Sequence, residues 1–378
     1  MKYKRIVIKI GTSLITQNNG DLNTVFISEL AKLCEKLNKS KHEIVIVSSG
    51  AIGAGIKIIN ETKDHHFLDQ NQTSVKQVLA SVGQPLVMKS YQEIFGQSNI
   101  QTSQILLTRK EISEDKSTYL NIKNTIEKLI ELKIIPIINE NDVVSTEEVE
   151  GDKFGDNDTL SAYVSNLIDS NLLIILSSLD GVYTSDPNLD PENAILIKEF
   201  KDITFNEINT LGGPSSDKRG TGGMSAKLKA IEIASMSGTD VVITNGNNVN
   251  NIEKILRNEK IGTFFPAKSK IIERKKKWLV NNMSRSKSIT IDDGAKVAIT
   301  NNNTSLLPAG IINVIGTFKA GEVVCILDKE KKIIASGISS YSNQEINKIK
   351  GKQSENILNI LGYVHTEEVI HKNNLVSI

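Results

Sequence analysis

Short runs of Ile, Val and Leu alternate over the first two thirds of the chain with longer segments in which apolar residues recur every three or four positions. The short runs predict buried strands, and the longer segments predict amphipathic helices. Their alternation is typical of a mainly parallel sheet covered by helices. Strands are predicted at 5–10, 43–47, 104–107, 134–138, 172–176 and 240–244. Helical spacing is clearest around 26–37, 122–130 and 225–237.

The pattern changes beyond residue 262. Apolar periodicity fades near Pro266, and the basic run at 274–277 is typical of a solvent-exposed linker. Beyond it, short strand-like runs separated by glycines predict a small, mostly β domain. These runs lie at 288–291, 311–314, 322–327 and 333–336. We therefore predict an α/β domain at 1–265, a linker at 266–283 and a mostly β domain at 284–378.

Charge and cysteine content narrow the class of protein. Lys and Arg total 45 and Asp and Glu total 44 among 378 residues, so the net charge of +1 gives no global attraction to nucleic acid or membranes. A charged ligand must therefore be held by a local site. Cys34 and Cys325 have no neighbours at metal-ligand spacing, and no stretch reaches the roughly 18 apolar residues that span a bilayer. These features predict a soluble, cytoplasmic protein with no membrane partner.

Four segments share one plan, in which an apolar strand runs into glycines and small polar residues. In the first, Lys9 lies in a strand fit for burial, and Gly11 lets a backbone N–H approach a phosphate. An edge-strand lysine that limits aggregation is the structural alternative. In the second, Ser49 and Gly50 lead into a helix N-terminus, whose free N–H groups suit an anion or carboxylate. Tight turn packing is the alternative there.

The third and fourth segments add carboxylates and a second lysine. Acids and amides at 139–142 and 155–159 follow a predicted strand. The carboxyl end of a parallel strand is where a ligand crevice usually lies. The structural alternative is an acidic turn followed by a helix N-cap. The glycine-rich loop at 220–227 opens a helix near Lys227 but matches neither GxxxxGK[ST] nor GxGxxG. Two lysines at glycine-rich turns plus carboxylates suit phosphoryl transfer. All five histidines lie outside these segments, which disfavours a Ser/His/Asp hydrolase or a zinc site.

The motifs together resemble those of glutamate 5-kinases, within the amino acid kinase family. The matching words are KIGTSLI from Lys9, VSSGAIGAG from Val47, IPIINENDVVS from Ile135, FGDNDTLSA from Phe154, DGVYTSDP from Asp180 and GTGGMSAKLKAI from Gly220. DDGAK from Asp292, SLLPAGI from Ser305 and GTFKAGEVV from Gly316 resemble the PUA domain appended to bacterial members. The resemblance spans nearly the whole chain. It implies a three-layer α/β/α sandwich with a mainly parallel sheet, followed by a small, mostly β PUA-like domain.

The resemblance also implies an activity, which is ATP-dependent phosphorylation of the γ-carboxylate of L-glutamate to L-glutamyl 5-phosphate, the first step of proline biosynthesis. Lys9 and Lys227 would neutralise the transferring phosphoryl group, and Asp158 would orient them. Glutamate would be held by Ser49, Asp142 and Asn157, with Gly50, Lys153 and Asp156 close by. ATP would contact Lys9, Gly11, Ser177, Ser178, Thr221, Gly222, Gly223, Met224, Ser225, Ala226 and Lys227. Mg²⁺ would bridge the phosphates, and no protein side chain is assigned to the metal.

Several further expectations and alternatives accompany this interpretation. Ser178 stands where many relatives carry Asp at the nucleotide site. A carboxylate with a reference pKa of about 4.3 is already ionised at neutral pH, so its attack needs no general base. The resemblance implies proline as a feedback inhibitor and a homo-oligomer.

The alternatives are another phosphotransferase of the family and, in a different class, an RNA-binding protein acting through the PUA-like domain. Against RNA, residues 284–378 carry 11 Lys and Arg beside 9 Asp and Glu.

Overall fold

Two compact units, Met1–Ile271 and Ile272–Ile378, make up the chain. The computed structural model describes residues 2–17, 19–61, 72–108, 111–112, 116–144, 157–187, 189–200, 224–268, 286–302 and 304–377. Most of the predicted linker, 266–283, lies outside these residues, so its limits stay a prediction. Among the helices that are described, none is long and apolar enough to cross a membrane.

A seven-stranded sheet forms the centre of the first unit. Its strands are β1 Arg5–Ile10, β2 Glu43–Ser48, β3 Thr102–Leu107, β4 Ile135–Glu140, β5 Leu172–Ser177, β8 Asp240–Asn245 and β9 Thr263–Phe265. Their order across the sheet is β3-β4-β2-β1-β5-β8-β9, and every neighbouring pair is parallel except β8 and β9. A separate antiparallel pair is formed by β6 Val182–Tyr183 and β7 Leu196–Ile197. The mainly parallel sheet predicted from the sequence is confirmed.

Helices cover both faces of this sheet. They are α1 Thr12–Ile15, α2 Thr24–Lys39, α3 Ala51–Glu61, α4 Thr73–Gln97, α5 Lys116–Glu131, α6 Asn157–Leu167, α7 Met224–Met236 and α8 Asn250–Leu256. Successive side chains of a strand point to opposite faces. Ile6, Ile8 and Ile10 of β1 accordingly pack into one core with α2, α4 and α8, whereas Val7 packs into the other with α5, α6 and α7. This arrangement is the predicted three-layer α/β/α sandwich.

Helices α3 and α4 cross at two glycines. A Cβ atom on Gly55 would lie 1.9 Å from the carbonyl oxygen of Leu79, and one on Gly83 would lie 1.9 Å from that of Ala51. No side chain fits at either position without moving backbone, so glycine is required at both. The crossing therefore ties α4 to the first turn of α3.

The second unit is built around a five-stranded sheet. Its strands are β10 Ser288–Ile291, β11 Ile311–Ile315, β12 Val323–Leu327, β13 Ile333–Ile338 and β14 Leu375–Ser377. They are ordered β11-β10-β12-β13-β14, and only the β10–β12 pair is parallel. Three helices, α9 Asp293–Asn302, α10 Asn343–Ile349 and α11 Ile357–Leu361, complete it. Its own core includes Ile289, Ile326 and the fully buried Tyr341. The mostly β character predicted for this region is confirmed.

Candidate active site

Four neighbouring parallel strands, in the order β4-β2-β1-β5, end along one edge of the large sheet. Gly11 follows β1, Ser49 follows β2, and Ser177 is the last residue of β5. Asp142 lies in the turn just after β4 and is half-buried. Because carboxyl ends of parallel strands form the usual ligand crevice, residues of three of the predicted site segments and Ser177 share one edge.

Lys9, Asp158 and Lys227 form an ion cluster on the face of the sheet that α6 and α7 cover. Lys9 Nζ lies 2.6 Å from Asp158 Oδ1, and Lys227 Nζ lies 3.2 Å from Asp158 Oδ2. The side chains of Lys9, Asp158 and Lys227 are 5%, 0% and 14% exposed. Alternation along β1 places Lys9 on the same face as Val7, which is why it meets α6 and not α2.

Two ammonium groups share the carboxylate of Asp158 in this cluster. An anion placed beside two buried ammonium groups is stabilised by both of them. A Cβ atom on Gly11 would lie 3.8 Å from Lys9 Nζ, so the turn after β1 runs next to that ammonium group without a side chain in between. The geometry therefore suits an anion such as a phosphate at this turn.

A second, neutral network lies beside the ion cluster and is joined to it through consecutive residues of α6. Asn157 Nδ2 donates hydrogen bonds to Ser49 Oγ at 2.9 Å and to Asn139 Oδ1 at 3.0 Å. Asn139 Nδ2 donates to Gln84 Oε1 at 2.8 Å. Asn157 Oδ1 is buried and has no hydrogen-bond partner among the described residues. The network therefore presents a buried oxygen next to the charged cluster.

The turn after β2 is held in one conformation. The Ser49 N–H donates to the carbonyl oxygen of Ile10 at 3.1 Å, which ties this turn to the end of β1. Gly50 has φ +109°, and a Cβ there would lie 2.8 Å from Ile15 Cγ2. Glycine is thus needed for both backbone conformation and space. The result is a fixed Ser49 hydroxyl at the start of α3.

The end of β5 lies on the other side of β1. The Gly246 N–H donates to the Ser177 carbonyl oxygen at 2.8 Å. Asn245 Nδ2 donates to Asp180 Oδ1 at 3.0 Å and lies 3.4 Å from the carbonyl oxygen of Ser178, whose side chain is exposed. These contacts join the ends of β5 and β8 into an open polar surface.

Some predicted site residues are not brought into these networks. Lys153, Asp156, Thr221, Gly222 and Gly223 lie outside the described residues. Met224, Ser225 and Ala226 are the first three residues of α7, directly before Lys227, and of Ser225 only the backbone is described. In the described parts of the chain, no group of three or more His, Cys, Asp or Glu side chains is arranged to hold a metal ion.

Two polar side chains in the neutral network had no role assigned from the sequence: Asn139, which lies in the predicted segment 139–142, and Gln84, which was not predicted. Asn139 is 3% exposed in the buried strand β4, and Gln84 is 8% exposed in α4. An amide near the end of an apolar strand is a visible signal for Asn139. Gln84 carries no such signal, because its partner is 55 positions away and the contact exists only in the fold.

Comparison with known proteins agrees with this architecture. The Amino acid kinase family profile matches residues 4–245, and the PUA domain profile matches residues 287–361. A glutamate 5-kinase of Dehalococcoides mccartyi (strain CBDB1) is 43% identical over 100% of this chain and 99% of its own length. A glutamate 5-kinase of Dictyoglomus thermophilum is 41% identical over 100% and 98%. A UMP kinase structure from Bacillus anthracis is 15% identical over 71% of this chain and 97% of its own, with a TM-score of 0.48. The family profile and the full-length identities show that this chain belongs to the amino acid kinase family, among its glutamate 5-kinases.

Proposed function

We propose that this protein transfers the γ-phosphoryl group of ATP to the γ-carboxylate of L-glutamate, forming L-glutamyl 5-phosphate, the first step of proline biosynthesis. The observation that carries the proposal is the buried cluster of Lys9, Asp158 and Lys227 at the carboxyl edge of the parallel sheet. Relatives that are 40–43% identical over nearly the whole chain are named glutamate 5-kinases. This favours glutamate over the substrates of other family members, and phosphoryl transfer over RNA binding.

The reaction needs positioning and charge neutralisation more than proton transfer. A γ-carboxylate oxygen attacks the γ-phosphorus of ATP, a new O–P bond forms, and the bond from that phosphorus to the β,γ-bridging oxygen breaks to release ADP. The attacking carboxylate is already ionised at neutral pH, so no proton has to be removed. The obstacle is repulsion between two anions, which buried ammonium groups reduce.

Lys9 and Lys227 supply those ammonium groups, and Asp158 orients both. Each oxygen of the Asp158 carboxylate faces one lysine, so the two cations are held at fixed places in spite of their mutual repulsion. Lysines fixed in this way stabilise the charge that develops on the transferring phosphoryl group without having to reorganise first. Removing either one therefore slows the chemical step more than it weakens glutamate binding.

Ser49, Asp142 and Asn157 hold glutamate, with Gly50 shaping the turn. The buried Oδ1 of Asn157 is an acceptor suited to the α-ammonium group, and the Ser49 hydroxyl is a donor suited to a carboxylate. Lys153 and Asp156, which precede Asn157 in the chain, are proposed to lie close to the same ligand.

The nucleotide is placed over the ends of β5 and β8, against Ser177, Ser178 and the loop that leads into α7. Gly11 and the residues Thr221, Gly222, Gly223, Met224, Ser225 and Ala226 would surround its phosphates. Each oxygen of Asp158 faces one lysine, so we assign this carboxylate to the phosphate site and do not assign it as a ligand of the metal ion. Mg²⁺ is accordingly proposed to enter with ATP as the MgATP substrate.

Proline and self-association complete the proposal. Proline shares the α-carboxylate and the cationic nitrogen of glutamate, so the groups that hold those parts of glutamate would also hold proline as a feedback inhibitor. A homo-oligomer and a cytoplasmic location remain predictions from the sequence.

Trapping of the acyl phosphate tests the function directly. The full-length protein is incubated with MgATP and hydroxylamine, which converts an acyl phosphate into a hydroxamate, and ADP is measured in parallel. L-Glutamate should support both signals, whereas aspartate, N-acetylglutamate and UMP should not. ADP formation with UMP, or hydroxamate formation with aspartate above that with glutamate, would contradict the proposal.

A further inference from the structure

One backbone N–H sets the polarity of the neutral network. The Glu140 N–H donates to Asn139 Oδ1 at 2.9 Å, and a backbone N–H can only donate. Asn139 must therefore present its oxygen on that side and its Nδ2 toward Gln84, whose Oε1 accepts at 2.8 Å. The same Asn139 oxygen also faces Asn157, so the group that Asn157 turns toward it must be its Nδ2.

This polarity decides what the network offers to a ligand. With Nδ2 engaged by Asn139 and Ser49, Asn157 Oδ1 points away from both and stays buried without a partner among the described residues. Ser49 Oγ already accepts a hydrogen bond from Asn157, so its own proton is available to an acceptor. The network thus presents one acceptor, which suits an ammonium group, and one donor, which suits a carboxylate.

Gln84 is the remote end of the network and is rigidly placed. It is 8% exposed and follows Gly83, whose backbone is in direct contact with the first turn of α3. Without the Gln84 oxygen, the buried Asn139 Nδ2 would lose its acceptor, and a buried unpaired N–H favours a shift of the amide toward a new partner. The Glu140 N–H still requires the Asn139 oxygen on its side, so the amide keeps its polarity but shifts, and its oxygen no longer holds Asn157 Nδ2 in place.

We propose that Gln84 is a positioning residue for glutamate, acting through Asn139 to hold the Asn157 amide with its oxygen toward the substrate α-ammonium group. This inference rests on the proposed function. Gln84 touches neither substrate nor reacting atoms, so its loss affects recognition of the α-ammonium group and leaves the phosphoryl-transfer residues in place.

Kinetics of Gln84→Met and Gln84→Glu test the proposal. Gln84→Met removes the acceptor while keeping a side chain of similar length, and Gln84→Glu keeps the acceptor. We expect Gln84→Met to raise the KM for glutamate about tenfold, which corresponds to one net hydrogen bond, with KM for MgATP unchanged. Gln84→Glu should restore most of the loss. If Gln84→Met does not fold, Gln84→Ala removes the same acceptor without adding apolar volume, and the same rise is expected.

Two readouts separate positioning from general destabilisation. Glutarate lacks the α-ammonium group, so the preference for glutamate over glutarate in kcat/KM should fall about tenfold in Gln84→Met. The matched control is Ser165→Ala, which removes the buried hydrogen bond from Ser165 Oγ to the Ser161 carbonyl oxygen, away from the network, and should leave the preference unchanged. In an Asn157→Ala background, Gln84→Met should have no further effect on KM, because both changes remove the same contact.

The outcomes distinguish the two proposals. Wild-type protein that forms no hydroxamate with glutamate overturns both. Active wild-type protein with an unchanged KM for glutamate in Gln84→Met, or with additive effects in the double variant, overturns the role of Gln84 alone.

Discussion

Replacing Lys9 with Met should nearly abolish the chemical step and also destabilise the first unit. Lys9→Met removes the ammonium group and keeps an unbranched side chain along the same path. The loss of one preorganised charge contact to a transferring group lowers kcat on the order of 10²–10³, or about 3–4 kcal/mol. The KM for glutamate should change far less, because Lys9 belongs to the ion cluster and not to the network around Ser49.

The expected loss of stability follows from the same geometry. Asp158 is 0% exposed and would keep one lysine partner, at 3.2 Å, instead of two. Removing one partner of a buried ion pair costs about 3–5 kcal/mol, and the remaining Lys227 should hold the loss near the lower end. Urea unfolding at neutral pH measures this loss, and hydroxamate formation under saturating substrates measures kcat.

A second buried lysine provides the matched control. Lys123 has a side chain that is 6% exposed and lies 2.7 Å from Asp169, which precedes β5 at the opposite end of the strands. Lys123→Met should therefore lower stability by a comparable amount and leave kcat within about threefold of wild type. The reasoning is refuted if Lys9→Met retains more than a tenth of the wild-type kcat, or if Lys123→Met loses as much activity as Lys9→Met.

Three further predictions address substrate binding, domain independence and acid sensitivity. Asp142→Ala and Asn157→Ala should each weaken binding of glutamate and of proline by about 1–3 kcal/mol, so that the KM for glutamate and the half-inhibiting proline concentration rise together in steady-state assays. Proline inhibition that persists at saturating glutamate would place proline at a separate site. A fragment ending at Lys268 should stay folded by circular dichroism and form glutamyl hydroxamate, because the described site residues all precede that point; a monodisperse but inert fragment would contradict this. Burial alone would raise the pKa of Glu43, but the contacts from Lys4 and Arg5 outweigh burial and lower this pKa below 4.5. The stability that Glu43 contributes is therefore present above pH 4.5 and is lost as the pH falls through its folded-state pKa. Glu43→Gln should therefore destabilise the protein near pH 7 and have a smaller effect near pH 4 in urea unfolding, and an equal effect at both pH values would show that Glu43 is not the group responsible.

The strands were predictable because burial on both faces leaves continuous apolar runs. β1 was predicted at 5–10 and is Arg5–Ile10, and the other five strands predicted in the first unit shift at their ends by two residues at most. β9 was not predicted, because its three residues are too short to form a pattern. Helix α4 was also missed: it contains Pro85 and Gly83, which normally indicate breaks, and the packing against α3 that supports them does not show in the sequence.

Candidate site residues could be predicted where charged or amide side chains and glycines are neighbours in the sequence. Lys9 with Gly11, and Asn157 with Asp158, stood out because charged or amide groups follow buried strands at glycine-rich turns. That Asp158 meets both lysines depends on α6 and α7 lying side by side on one face of the sheet. The Gln84 contact depends on helix packing, and no local pattern encodes it.

The crossing of α3 and α4 has a consequence for how this chain can vary. Gly55 and Gly83 touch no charged group of the candidate site, yet any Cβ at either position would overlap backbone at 1.9 Å. A larger residue would force the two helices apart, and with them the turn that carries Ser49 and the helix that carries Gln84. In a saturation library selected for growth without proline, positions 55 and 83 should consequently accept almost nothing but glycine. A map of mutational tolerance would then reveal two invariant positions outside the ion cluster, where the contact between α3 and α4 leaves no room for a side chain.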